Sequence, residues 1–306
     1  MSPKYPFAKE SPVRVLFTGG SEAGSWEMRG VQVSSARLNW SANHELPEHA
    51  IDSFDIFCFV KHPRPTVMRD LVERGKCVVY DVIDSWKQPE EGLSVKSVPD
   101  ARILFEKKWK EISADAFIFP NEIMKKDLED LAPPSTVLYH HFRPEYEDWS
   151  HPIKEKAQTV AYEGNPEYLG EWKFLLELLC KKLGLKLLIN PKDLKEVDIG
   201  FAARGGLHSS LLSNRYKSNV KLANFYGAGI PCVVQASEVS YRETDNGAVR
   251  FFDSERSLEK NLEELLDPEL RKEIRESFLK SRESFRLSHI ANEYEKFFLS
   301  LLGSRH

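Results

Sequence analysis

The segment Arg215–Val234 reads RYKSNVKLANFYGAGIPCVV. A polar, cationic entry is followed by a helical stretch from Asn219 to Ala228, a glycine-rich stop and the apolar run Cys232–Gln235. That order predicts a strand-end loop, a helix, a tight turn and a buried strand. Ser218 or Asn219 is placed to cap the helix. Gly227 and Gly229 let it end against the next strand, and Pro231 enforces the exit. Free amides and the dipole at the helix start favour an anion. Arg215, Lys217 and Lys221 add positive charge there, with Lys217 and Lys221 four residues apart on one helix face and Asn224 a turn further on. Any one of these cations alone reads as a solvated surface charge. Four polar groups converging on one helix start favour an anion site.

Outward from this segment the same alternation recurs. Downstream lie strand Val249–Phe252 and helices Leu258–Leu266, Pro268–Lys280 and Ile290–Leu302. Upstream, strand Thr159–Tyr162, helix Leu169–Leu183 and strands Lys186–Ile189 and Val197–Phe201 complete one set. A polar stretch, Arg143–Lys156, with Pro144 and Pro152, reads as a linker. Before it comes a second set: strands Val13–Thr18, Asp55–Lys61, Lys76–Val82, Ala116–Phe119 and Thr136–Tyr139, alternating with helices Trp26–Leu38, Thr66–Arg74, Ala101–Ile112 and Glu122–Leu131. Continuous apolar strands separated by helices imply parallel sheets covered on both faces. The expected fold is α/β, with two tandem Rossmann-like doubly wound domains facing across a cleft. Residues 1–150 form the first, 157–285 the second, and the last helix, 286–306, crosses back to the first. Ligands in such sheets sit at the carboxyl ends of the strands.

The 306 residues suffice for two such domains. Net charge is −4, divided as −5 over residues 1–155 and +1 over 156–306, without the basic excess of a general nucleic-acid binder. No apolar run approaches the ~20 residues that span a bilayer, and Met1–Arg14 lacks an apolar signal core, so a cytoplasmic location is expected. Cys58, Cys77, Cys180 and Cys232 are far apart in apolar stretches and read as buried core thiols. Neither a dinucleotide-binding G-x-G-x-x-G nor a P-loop occurs.

The pattern K-S-N-x-K-L-x-N-x-x-x-A-G-I-P over Lys217–Pro231 resembles the donor-binding segment of GT-B-fold glycosyltransferases. Ser240-Tyr-Arg-Glu243, Gly19-Gly20, Gly24-Ser25-Trp26 through Arg29-Gly30 and VAYEGNPEYL (Val160–Leu169) are similar to other parts of that family, in order. The resemblance implies that the second domain binds a nucleoside-diphosphate sugar, the donor-site residues being Arg204, Arg215, Lys217, Ser218, Asn219, Lys221 and Asn224 of that domain, with Gly20 of the first domain's glycine turn open to a phosphate or sugar. It places Ser25, Trp26 and Arg29 near the acceptor. The large retaining group of this fold carries two glutamates seven residues apart. Here Asn224 occupies the second place, and Gly206–Asn219 holds no glutamate. The expectation therefore leans to inversion.

Inverting transfer needs a base for the acceptor hydroxyl. Asp81 and Asp84 lie at the carboxyl end of a predicted strand, and His62, with Glu22 behind it, at the end of its neighbour. They rank Asp84, Asp81, His62. No D-x-D metal motif is present, and the adjacent His140-His141 point to opposite faces if extended, so no metal site is expected. Cations then meet the diphosphate, Arg204 among them. Helix Ala101–Ile112 sets Arg102, Lys107, Lys108 and Lys110 beside Leu104, Phe105 and Trp109, a basic amphipathic pattern that suits peripheral membrane contact.

The expected activity is metal-independent hexosyl transfer from a nucleotide sugar, such as a UDP-sugar, to a glycan, lipid-linked or other hydroxyl acceptor. No cofactor is required beyond the sugar nucleotide as co-substrate. Three alternatives stay open: a sugar-nucleotide epimerase, separable by products formed without acceptor; a bilobal ligand-binding protein; and a DNA-base glycosyltransferase. The acidic first domain weighs against the last, and salt-sensitive DNA binding would revive it.

Overall fold

The computed structural model describes residues 5–6, 8–19 and 24–304. They form two compact units. The first comprises residues up to Trp86, Ser97–His140 and the chain from Leu287; the second comprises Lys87–Lys96 and His141–Arg286. This division differs from the expected one at two places. A ten-residue excursion from the first half joins the second unit, and so does the stretch read as a linker, where Tyr146 and His151 are buried.

The first sheet has six parallel strands in the order β2-β1-β3-β4-β5-β6: β1 (Val15–Thr18), β2 (Trp40–Ala42), β3 (Ile56–Val60), β4 (Cys77–Asp81), β5 (Ala116–Phe119) and β6 (Ser135–Val137). Residues of β1, β3, β4 and β5 are buried throughout, which is why they read as unbroken apolar runs. Strand β2 escapes that reading because Trp-Ser-Ala is only three residues long and half polar. The helix from Gly24 to Ser35 contains a π-helical stretch, Glu27–Gln32. The last helix, Leu287–Gly303, buries Tyr294, Phe298 and Leu301 in the core formed with β1, β3 and β4.

The second sheet has five parallel strands in the order β11-β10-β9-β7-β8: β7 (Thr159–Tyr162), β8 (Lys186–Ile189), β9 (Ile199–Ala202), β10 (Cys232–Gln235) and β11 (Arg250–Phe252). Its chain runs from β7 to β8 on one side, then returns to β9 on the other. The topological switch point therefore lies between β7 and β9, where a doubly wound sheet opens a crevice at its carboxyl ends. In the first sheet the corresponding place lies between β1 and β3.

Helix Val98–Trp109 begins with a capping box between Ser97 and Asp100. Most of its apolar side packs within the unit. Ala101, Phe105 and Trp109 are buried, and Trp109 packs edge-on against Phe117 at 5.1 Å. Arg102 is paired with Asp130, and Lys108 donates to the Ser85 carbonyl. The buried side of its amphipathic pattern serves the sheet, while Ile103 on the same helix is exposed. Among the described residues no helix is long and apolar enough to cross a membrane. All four cysteines are buried free thiols.

Candidate functional site

At the switch point of the second sheet, β7 ends in Tyr162, Glu163 and Gly164, and β9 ends before Ala203 and Arg204. Gly164 has φ +128°, a conformation that residues with a Cβ rarely adopt, and its Cα faces the Lys221 side chain: a Cβ built there would lie 3.4 Å from Cε. Lys221 comes from helix Val220–Ala228, whose residues from Lys221 onward are all buried. Its ammonium lies 3.3 Å from the Tyr162 hydroxyl.

Burial drives the Lys221 pKa down to about 7, and the neighbouring charge of Arg204 adds to the fall; Glu238 and Glu163 oppose it. Burial also lowers the affinity of Arg204 for its proton, but Glu238 together with Tyr241, Tyr162 and Tyr168 outweighs that effect and the pKa is raised. Arg204 lies 5.7 Å over the Tyr168 ring, a cation–π contact. Its backbone amide donates to Gln235 Oε1 at 2.8 Å, which ties the β9 loop to the end of β10. Its Nε is 3.5 Å from Glu238 Oε1, and neither its Nε nor its Nη1 makes a hydrogen bond. Burial raises the Tyr162 pKa to about 12, so this phenol remains protonated at neutral pH.

Asn224 binds both sides of this crevice. Its Nδ2 donates to Glu163 Oε2 at 3.1 Å, and its Oδ1 accepts from the Arg143 amide at 3.2 Å. The Arg143 guanidinium closes on Glu163 Oε1 at 2.8 Å. Lys217, Ser218 and Asn219 are buried just before the helix. Two expectations about this turn are corrected. Asn219 stands at the N-cap, but its side chain makes no capping hydrogen bond. Lys217 does not share a helix face with Lys221, because helix Leu211–Tyr216, absent from the sequence reading, ends at Lys217 in an extended conformation. Arg215 lies on that preceding helix and is half-buried.

In the first unit, Asp84 and His62 both follow strand ends. Lys61, held at φ 62°, reaches Asp84 Oδ1 with its ammonium at 2.8 Å. His62 is exposed, and partial desolvation, then the charge of Lys61, lower its pKa. Asp81 is placed differently. It is fully buried, 3.1 Å from Arg29 Nε, and accepts from the Tyr294 hydroxyl. Arg29 spends its remaining donors on the Leu138 and Tyr139 carbonyls at 2.8 and 3.0 Å. Asp81 and Arg29 are both fully buried and paired with each other in the core of this unit. Trp26 is buried and stacks on His44 at 4.1 Å, while Ser25 is half-buried beside it. Gly20 and Glu22 lie outside the described residues. Among the described residues no group of three or more histidines, cysteines or carboxylates is arranged to hold a metal ion.

No protein-family model and no curated relative matches the chain. Solved structures do. HepE from Anabaena, in complex with UDP-glucose, superposes with a TM-score of 0.63 at 10% identity over 94% of this chain and 100% of its own. A trehalose-6-phosphate synthase studied for glycosyl transfer with retention gives 0.59 at 12% identity, covering 94% of this chain and 93% of that one. The GtfA/B complex gives 0.52 at 10% identity over 80% of this chain, which spans only 57% of that one.

The fold is GT-B. The strand orders of the two sheets and the match across both units carry that conclusion together. Within the GT-B frame, the lean to inversion has no support. It rested on Asn224 standing where a glutamate was missing, and Asn224 is engaged in holding Glu163. A matched GT-B synthase is described as transferring with retention.

Arg204, Lys221 and Asn224 stand out in the sequence as candidates, but the carboxylates that lie beside them do not. Glu163 lay inside a quoted segment without a role. Glu238 follows β10 with no motif to mark it, and only the folded sheet brings it beside Arg204.

Proposed function

We propose that the chain is a glycosyltransferase that uses a nucleoside-diphosphate sugar, with the second unit holding the donor. One observation carries this reading. Arg204 and Lys221 are buried together at the switch point of a doubly wound sheet, and two nitrogens of Arg204 lack hydrogen bonds. Burial first, and then repulsion from the charge of Arg204, lower the Lys221 pKa. A diphosphate entering between the two cations relieves that repulsion and restores the lysine's proton. The start of helix Val220–Ala228 adds its amide dipoles on the same side. The UDP-glucose and fluorinated UDP-glucose held by matched structures make a UDP-sugar the first donor to test.

On the acceptor side, Asp84 is the favoured base, with His62 second. In this reading the acceptor hydroxyl loses its proton to the carboxylate and its oxygen bonds to the anomeric carbon. The bond from that carbon to the β-phosphate oxygen breaks, and the nucleoside diphosphate leaves. The cations of the site supply the leaving group with counter-charge, which is the basis for proposing transfer without a metal ion.

The test is a thermal-shift screen against UDP, GDP, ADP, CMP and dTDP, each with and without EDTA. Stabilisation by one of them in EDTA supports the donor site. If Lys221→Met binds that nucleotide as tightly as the parent, the site is wrongly placed. Transfer assays with glycan and lipid-linked acceptors, and a control without acceptor, then separate transfer from epimerisation.

A further inference from the structure

Glu238 sits immediately after β10, on the turn that carries helix Val239–Glu243. It is fully buried, and both carboxylate oxygens are sealed from solvent with no hydrogen bond of ordinary geometry. Its neighbours are Arg204 Nε at 3.5 Å and the hydroxyl-bearing side chain of Tyr241. Its charge is felt by Arg204, Lys221, Tyr162 and Tyr241, so it stands at the centre of the cluster. It does not cap its own helix through its side chain.

A buried carboxylate is costly unless its lone pairs are met by donors. The other carboxylate of the crevice, Glu163, comes closer to that requirement: Asn224 donates to Oε2, and the Arg143 guanidinium pairs with Oε1 at 2.8 Å. Glu238 has charge compensation from Arg204 and a single hydroxyl beside it, that of Tyr241, which leaves lone pairs unmet. An ionised carboxylate accepts only, so the ligand that completes it must bring hydroxyl or amine donors, and a phosphate cannot. A nucleotide sugar supplies both requirements within one molecule. Its β-phosphate suits Arg204, and the sugar ring attached to that phosphate carries hydroxyls within reach of a neighbouring carboxylate.

We infer that Glu238 recognises the transferred sugar by accepting hydrogen bonds from its ring hydroxyls. It is thus a specificity determinant separate from the cations that hold the diphosphate. This inference rests on the donor site proposed above.

The experiment compares, by calorimetry, each nucleoside diphosphate with its glucose and galactose derivatives, first on the parent protein and then on Glu238→Gln. The parent is expected to bind one nucleotide sugar more tightly than the matching diphosphate. In Glu238→Gln the diphosphate affinity persists, while the preference for the sugar falls by about tenfold or more. A second arm keeps the parent protein and removes single hydroxyls from the sugar. At least one deoxy derivative is expected to lose affinity to the same extent, which covers the case of a variant that fails to fold. An undiminished sugar preference in a folded Glu238→Gln overturns the inference and leaves the donor site standing, as does a deoxy series without any loss. Absence of binding by every diphosphate and nucleotide sugar overturns the donor site and the inference together.

Discussion

Lys221 Nζ stands 4.5 Å from the centre of the Tyr162 ring, beyond the carboxyl end of β7. The aromatic face partly compensates a cation that burial otherwise discourages. With its pKa near 7 in the ligand-free protein, the lysine is half-charged at neutral pH. A bound diphosphate favours the charged form and raises that pKa. Above pH 7, binding therefore takes up a proton, and affinity falls as pH rises toward the pKa of the complex. Calorimetry at pH 8 in buffers of different ionisation enthalpy is expected to show this uptake. Lys221→Met should abolish it and weaken binding about tenfold or more. The same depressed pKa makes the parent gain stability relative to Lys221→Met as pH rises from about 7 toward the ordinary lysine value.

Asp84 is held by Lys61 at 2.8 Å. If it accepts the acceptor's proton, Asp84→Asn should lower kcat by about 10²–10⁴-fold and leave donor affinity unchanged. Steady-state kinetics with a parallel binding assay check both halves. Near-parental kcat would pass the role to His62, whose lowered pKa keeps it neutral, and able to accept a proton, at pH 7.

Asp81 is predicted to matter for stability. Asp81→Ala leaves the buried Arg29 guanidinium uncompensated and should cost about 3–5 kcal/mol. Tyr294→Phe removes one hydrogen bond to a charged acceptor and should cost about 1.5–3 kcal/mol. Urea unfolding measures both.

At the amino end of β9, Asp198 is fully buried, yet it accepts from the Gln158 amide at 2.8 Å and the Thr159 amide and hydroxyl at 3.0 Å each, and pairs with Lys154 at 2.8 Å. Burial would raise its pKa, but the bonds from His151, Lys154, Gln158 and Thr159 prevail and hold it well below the usual carboxylate range. Its contribution is therefore complete above pH 4 and is lost as pH falls toward the folded-state pKa. Asp198→Asn should be less stable at pH 7 by about 2–4 kcal/mol, and the gap to the parent should narrow in acid unfolding.

Gly227 lies on helix Val220–Ala228 against Phe142. A Cβ at this position would stand 2.2 Å from the Phe142 ring carbon Cγ. Gly227→Ala should thus cost about 1–3 kcal/mol, and in a double-mutant cycle Phe142→Ala should recover part of it. Two residues on, Gly229 ends the same helix at φ +65°, as its position in the sequence requires.

The strand cores were legible because a parallel sheet buried on both faces needs unbroken apolar runs, and β5, β7 and β10 fall on the residues that read that way. The helix after Ser218 was legible from its stop, Gly-Ala-Gly-Ile-Pro, more than from its start. Helix Leu211–Tyr216 was not, since six residues are too few to establish a helical period.

By itself, then, the sequence determined the two parallel α/β units and the cationic approach to helix Val220–Ala228, because burial and helix stops are local properties of neighbouring residues. Only the tertiary structure decided which charges meet. Arg29 and Asp81 are 52 residues apart, and Asp81 and Tyr294 are separated by 213. Arg204 and Glu238 become neighbours through the adjacency of β9 and β10. Whether a carboxylate is a structural anchor, a ligand contact or a base depends on those partners and on its access to water, and neither is a property of the residues beside it in the chain.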